Sequence, residues 1–223
     1  ELLISSLPEN FKYIPKIPML LGVSKQYFED KNFNITKCQA LVTVHPLRGI
    51  DWLVDVWINS ISVKIPWAEM HIFSNVLYKK SFDKNIKINN LKLKLLKYKN
   101  NGIHVKKPQV EEEFINNLSN YRIHLNPDND TKTFSSSILE SQARGIPIIS
   151  RENGDIRNYL YHNETGFITN NKDIYSKKVI DLLTDNSLLL RMKRNSKLNN
   201  KIKQWHDIVL DLLGKISENI IHR

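Results

Sequence analysis

Thr133-Phe134-Ser135-Ser136-Ser137 places hydroxyl side chains at the start of an apolar-periodic run. Polar residues in that position cap helices, and a helix start offers unpaired N–H groups and a positive dipole end, for which phosphate is the natural guest. A capped helix with no ligand accounts for the same residues. Glu140 follows about one and a half turns later. A carboxylate there can accept two hydroxyls of a ribose whose phosphates rest on the helix start; a surface ion pair would use it equally well. Arg48 stands just before Gly49 in another loop, where a guanidinium spans two phosphates and glycine permits close approach. His45 shares that loop, either as a ligand or as a hydrogen-bonded edge residue. Asn153-Gly154-Asp155 forms a third polar turn, which needs no function to exist. His104, His124, His162 and His206 are scattered, so no metal-ligand cluster is expected. Phosphate-loop, dinucleotide-fingerprint and nucleophile-elbow motifs are missing.

These residues need elements to hold them. Ile123–Leu125 is a short apolar run ended by Asn126-Pro127 and the polar loop Asp128–Thr133. Phe134, Ile138, Leu139 and Ala143 then recur at helical spacing until Gly145, and Ile146–Ile149 is a buried-type strand. Strand, loop, helix and strand in that order make the unit of a parallel sheet, whose ligands bind at the carboxyl ends of its strands. The pattern repeats along the chain. Strands are expected over residues 37–44, 70–73, 103–106 and 166–169, and helices over 50–61, the second half of 79–100, 109–118, 171–184, 187–199 and 205–216. The expected fold class is α/β, one Rossmann-like parallel sheet covered by helices on both faces. Residues 1–20 read as a linker or the remnant of a preceding unit, 21–200 as the nucleotide-binding layer, and 201–223 as a C-terminal helix and tail.

The bulk composition sets limits. Formal charge is +10, from 33 Lys and Arg against 23 Asp and Glu. That excess suits an anionic substrate, an anionic membrane surface or nucleic acid. The densest lysine run, Lys79 to Lys99, lacks the aromatic interleaving of a nucleic-acid interface, which makes nucleic acid the weakest of the three. No run of apolar residues is long enough to span a membrane. The single cysteine, Cys38, forms no intrachain disulfide and points to a reducing compartment. The chain begins with Glu1, so any upstream segment lies outside this reading.

Leu139-Glu140-Ser141-Gln142-Ala143-Arg144-Gly145-Ile146-Pro147-Ile148-Ile149 resembles the "LEAMAxGxPVI" signature of the family-4 glycosyltransferases. In order and without gaps, Gly154–Tyr159 falls on their "GGxxEV" and Glu164–Ile168 on their "ETGxLV". His45–Asp51 resembles their "xRGLD" loop, and Pro66–Ile72 resembles "PDAELHI". The likeness runs from about Pro15 to Gly214 and covers the C-terminal, donor-binding half of a two-domain GT-B fold, without the N-terminal acceptor half. It implies a donor substrate of nucleoside-diphosphate-sugar type, UDP or GDP, with no separate cofactor and no metal. It further implies that Arg48 clamps the pyrophosphate and that Thr133, Phe134, Ser135 and Ser136 receive it on their N–H groups. Glu140 would hold the ribose, and the backbone from Lys107 to Val110 would meet the base, with His45 and Gly49 lining the loop.

Two positions depart from the pattern. Lys132 stands where the family places the glutamate that contacts the donor sugar, and would face a phosphate or an acidic sugar instead. Asp155 and Asn158 replace a glycine and a glutamate of the "GGxxEV" segment. The resemblance implies a retaining transferase acting on a glycan or lipid acceptor in cell-envelope polysaccharide synthesis, in the cytoplasm or on the inner face of the membrane. A nucleotide-binding module without transfer activity, and less readily a basic nucleic-acid-binding domain, are the alternatives.

Overall fold

The structure, a computed structural model, describes residues 17, 19–29, 36–130, 135–154, 156–199 and 201–221. Six strands make one sheet: β1 (Gln39–Val42), β2 (Glu69–Phe73), β3 (Ile103–Lys106), β4 (Ile123–Asn126), β5 (Ile148–Ser150) and β6 (Gly166–Ile168). They pair in the order β3-β2-β1-β4-β5-β6, every pair parallel. The expected α/β Rossmann-like class is what the chain adopts. Chain order reverses between β1 and β4, so their carboxyl ends flank the topological switch point.

Both faces of the sheet are covered, which explains why its strands read as apolar runs. Side chains alternate across it. Ala40, Val42, Met70, Ile72, Ile123, Leu125 and Ile149 enter one core. That core is closed by α1 (Ile50–Val56), α3 (Ile86–Lys97), α7 (Lys172–Thr184) and α8 (Asn186–Lys197). Leu41 and Phe73 look the other way, toward α4 (Glu111–Leu118), α5 (Ser136–Ala143) and a 3-10 turn, Lys25–Phe28. Ile138, Ile148, Ile156 and Ile168 make a third, smaller cluster around α6 (Ile156–Tyr159).

Several boundaries differ from the periodicity. The helix expected to stop at Ile61 continues from α1 through a π-helical turn, Trp57–Ile61, to Ser62–Lys64. Trp57 is fully buried there, and its indole N–H donates to the Asn101 carbonyl at 2.8 Å. The helix expected from Gln109 starts at Glu111, because Val110 is extended. The strand expected from Ile146 starts two residues later. Ile146 N–H is taken by the Ser141 carbonyl, and Pro147 has no N–H to give. The last helix, α9 (Trp205–Ile221), runs five residues beyond the expected end. A four-residue helix, α2 (Asn75–Tyr78), has no counterpart in the apolar pattern.

The two ends of the described fold lie side by side. Val23 N–H donates to the Lys203 carbonyl at 2.9 Å, and Val23 pairs with Gln204 in an isolated parallel bridge. Gly22 sits so close to Trp205 that a Cβ at position 22 would lie 2.7 Å from its Cα. Along α9, Ile208 is buried, while Val209, Leu210, Leu213 and Ile216 are exposed.

Candidate functional site

The loop after β1 is folded by its own histidine. Arg48 N–H donates to the His45 carbonyl at 2.9 Å, and Leu47 N–H reaches the His45 Nδ1 at 3.3 Å. The ring is exposed but is engaged within the loop. Gly49 then caps α1 in the left-handed region, at φ 79°. Any Cβ there would overlap the Pro127 carbonyl, so the loops after β1 and β4 touch backbone to backbone at the switch point. Arg48 Nη1 lies 3.9 Å from the Asp128 carboxylate, the arginine 40% exposed and the aspartate 6%. At that separation the pair is loose, and a phosphate could compete for the guanidinium. Arg151, after β5, is a second cation on this edge and stacks over the Trp52 ring at 4.7 Å.

Helix α5 starts at the same edge. Ser135 is its extended N-cap, yet its side chain makes no cap hydrogen bond. The hydroxyl instead lies 2.7 Å from that of Ser137, which lies 2.7 Å from Thr43 Oγ1. Thr43 Oγ1 is 3.0 Å from His124 Nε2, and His124 Nδ1 is 2.9 Å from Ser141 Oγ. Of the hydroxyls at the helix start, that of Ser137 is therefore turned toward the sheet. The hydrogen-bond chain also fastens α5 to β1 and β4. His124 is wholly buried, which pushes its imidazole down to about 3 and keeps it neutral. The first turn of α5 thus lacks a Ser135 side-chain cap, the arrangement that an anion completes.

Glu140 is half-buried on α5. It accepts hydrogen bonds from Ser136 and from the Tyr27 hydroxyl. Burial, and secondarily Glu111 at the start of α4, raise its carboxyl above the ordinary range. Burial and the Glu140 charge in turn push the Tyr27 phenol up. Glu111 follows Val110 directly, so the loop expected to meet a base and the carboxylate expected to hold a ribose lie within electrostatic reach. Val110 itself is 73% exposed. Lys106 to Val110 line a cavity of about 560 Å³ together with Phe73, His71 and Tyr121.

The structure brings Arg48, Gly49, Ser135, Ser136 and Glu140 to one edge, with His45 in its loop. Lys132, Thr133, Phe134 and Asp155 lie outside the described residues. Asn153 is buried, and its Oδ1 has no partner among the described residues. Sequence reasoning missed Thr43, His124, Ser141, Tyr27, Asp128 and Arg151. A signal existed for one of them, because His124 and Asn126 alternate with Ile123 and Leu125 inside a strand buried throughout. A polar period of two in such a strand marks a buried network. The expectation of scattered histidines also fails at one place, where the sheet brings His104 alongside His71 and Glu69.

Among the described residues, no helix is long and apolar enough to cross a membrane. No curated protein matches the sequence. Solved structures do. The pneumococcal O-GlcNAc transferase GtfA, in complex with UDP and GlcNAc, superposes with a TM-score of 0.62 at 18% identity, over 83% of this chain and 36% of that one. Anabaena HepE in complex with UDP gives 0.74 at 11% identity, over 90% and 57%. A glycosyltransferase from Rickettsia africae gives 0.68 at 17% identity, over 90% and 56%. The chain therefore spans from about one third to little more than half of the proteins it resembles, and at these identities the likeness is one of fold. Residues 87–199, just over half of the 223, match the family profile described as Glycosyl transferases group 1. That stretch carries Val110, Ser135, Ser136 and Glu140, and by this match the chain belongs to the group 1 glycosyl transferases.

Proposed function

We propose that this chain is the C-terminal, donor-binding half of a family-4, GT-B glycosyltransferase that takes a UDP- or GDP-sugar, with no separate cofactor. The observation that carries the reading is the meeting, at the switch point, of Gly49 and Arg48 with Pro127 and Asp128 and of Thr43 with Ser137 in the first turn of α5, with Glu140 on that same helix. Arg48 clamps the pyrophosphate, and the N–H groups at Ser135 and Ser136, with Thr133 and Phe134 before them, receive it. Both stabilise charge on the departing diphosphate, so no side-chain nucleophile is required. Glu140 accepts the ribose hydroxyls, Lys107–Val110 hold the base, and the charge of Lys132 compensates a phosphate or an acidic sugar. That GtfA and HepE were each solved with UDP supports a uridine nucleotide.

Transfer to a glycan or lipid acceptor, with retention, belongs to a longer protein. Residues 21–200 form the donor layer, and the exposed apolar side of α9 docks on an acceptor-binding domain joined through residues 1–20. We place the enzyme in the cytoplasm, on the inner face of the membrane. In support of that placement, Phe82, Leu93 and Leu96 stand exposed around a groove of about 530 Å³ lined by Leu77, Leu95, Ile103 and Val105 and flanked by Lys79, Lys80, Lys92 and Lys99.

Titration calorimetry with UDP, GDP and ADP tests the reading. One nucleotide binds selectively, and Glu140→Ala weakens it roughly 10- to 150-fold, the loss of hydrogen bonds to a charged group worth about 1.5–3 kcal/mol. No binding of any nucleotide would overturn it. Lys132, Asp155 and Asn158 favour a second reading, binding without transfer. Release of UDP or GDP from a sugar donor by the longer protein separates the two.

A further inference from the structure

We propose that Glu69, His71 and His104 form a divalent-metal site, with zinc the preferred ion, on the α4-facing side of β2 and β3. The inference is independent of the donor reading. The sheet itself assembles the three ligands. Glu69 and His71 are two residues apart on β2 and project from one face, and His104 is the register partner of His71 on β3. One ligand atom from each lies within 4.8 Å of the others. Glu69 Oε2 and His71 Nε2 are already 2.9 Å apart, close to the roughly 3.3 Å that two ligands on one tetrahedral zinc adopt at bond lengths of about 2.0 Å. The rings of His71 and His104 meet edge-on, with centroids 5.3 Å apart.

The outer partners of such a site are also present. His71 Nδ1 lies 3.0 Å from the Tyr121 hydroxyl, and the Glu69 carboxylate accepts from Gln39 Nε2 at 2.7 Å. Groups in these positions fix a ligand's tautomer and direction. Without an ion, His71 Nε2–H donates to Glu69 and the Tyr121 hydroxyl donates to Nδ1. With an ion, the proton sits on Nδ1 and is donated to the Tyr121 oxygen, while the Nε2 lone pair faces the metal. The ring keeps its proton count and its place.

Two imidazoles and one carboxylate suit zinc better than magnesium or calcium. Three protein ligands leave a fourth position, and His71 opens onto the cavity that also holds Lys106 to Val110. Lys37 and Lys106 line that cavity and oppose a cation. The affinity expected is therefore on the order of micromolar, weaker than that of closed structural zinc sites.

The test uses this chain without an affinity tag, stripped with chelator. Zinc is titrated against a chromophoric competitor, and cobalt is added separately for its visible spectrum. One zinc per chain, intense tetrahedral cobalt bands, and a loss of roughly tenfold or more in His104→Ala support the site. His104 is only half-buried, so this variant keeps the fold, which metal-free melting checks; Glu69→Gln provides a second ligand deletion. Absence of zinc binding to the unaltered chain, or binding and cobalt bands unchanged in both variants, would overturn it.

Discussion

Glu140 lies half-buried among Ser136, Tyr27 and Glu111, and its raised carboxyl follows from burial first and from Glu111 second. A folded-state pKa above the unfolded value means that the folded chain binds the proton more tightly. Stability is therefore greatest below the ordinary carboxylate range, and is lost as pH rises from that range through the raised pKa. Glu140→Gln removes the cost of the charge. Melting curves are expected to show the variant more stable than the parent above that window and level with it below, each 1 kcal/mol reading as about 2–4 °C. Nucleotide affinity should move the opposite way, because ribose hydroxyls prefer an ionised acceptor. Equal melting temperatures across the whole pH range would show that the carboxylate is not under electrostatic stress.

Helix α5 takes its direction from the sheet through His124. That ring is wholly buried, so both nitrogens depend on Thr43 and Ser141. Ser141→Ala leaves Nδ1 unpaired in the core and should cost about 1–3 kcal/mol in urea denaturation. An unchanged midpoint would remove the network from any role in placing the helix. The strands and α5 were legible in sequence, because buried parallel strands are short apolar runs and Gly145 ends the helical spacing. Its left-handed φ of 80° explains why a glycine stands there. Arg48, Gly49 and Glu140 could be placed on one edge for the same reason. The network could not be read, since Thr43 and His124 are 81 positions apart and only the β1–β4 register joins them. The trio Glu69, His71 and His104 was hidden in the same way, because ligand spacing in sequence carries no record of which strands are neighbours.

Across the whole molecule the +10 charge is unevenly employed. Lys94 is paired with Asp51 and Asp55, and Lys92 braces the preceding turn through the Lys79 and Ser81 carbonyls. Lys79, Lys80 and Lys99 surround exposed Phe82 and Leu96, a combination suited to anionic lipid at about 1 kcal/mol per lysine near the surface. The chain is expected to sediment with vesicles containing phosphatidylglycerol and to stay in solution with phosphatidylcholine alone. Phe82→Asp, at a side chain 79% exposed, should release it without lowering the melting temperature. Retention of that variant on the anionic vesicles would rule out this groove as the contact.

The pairing of Val23 with Gln204, backed by Gly22 against Trp205, has a mechanical meaning. Segments at opposite ends of the described chain share one parallel bridge and one close backbone contact, so a pull on either is carried by both. Fraying at one end would therefore loosen the other, and the first turn of α9 with it.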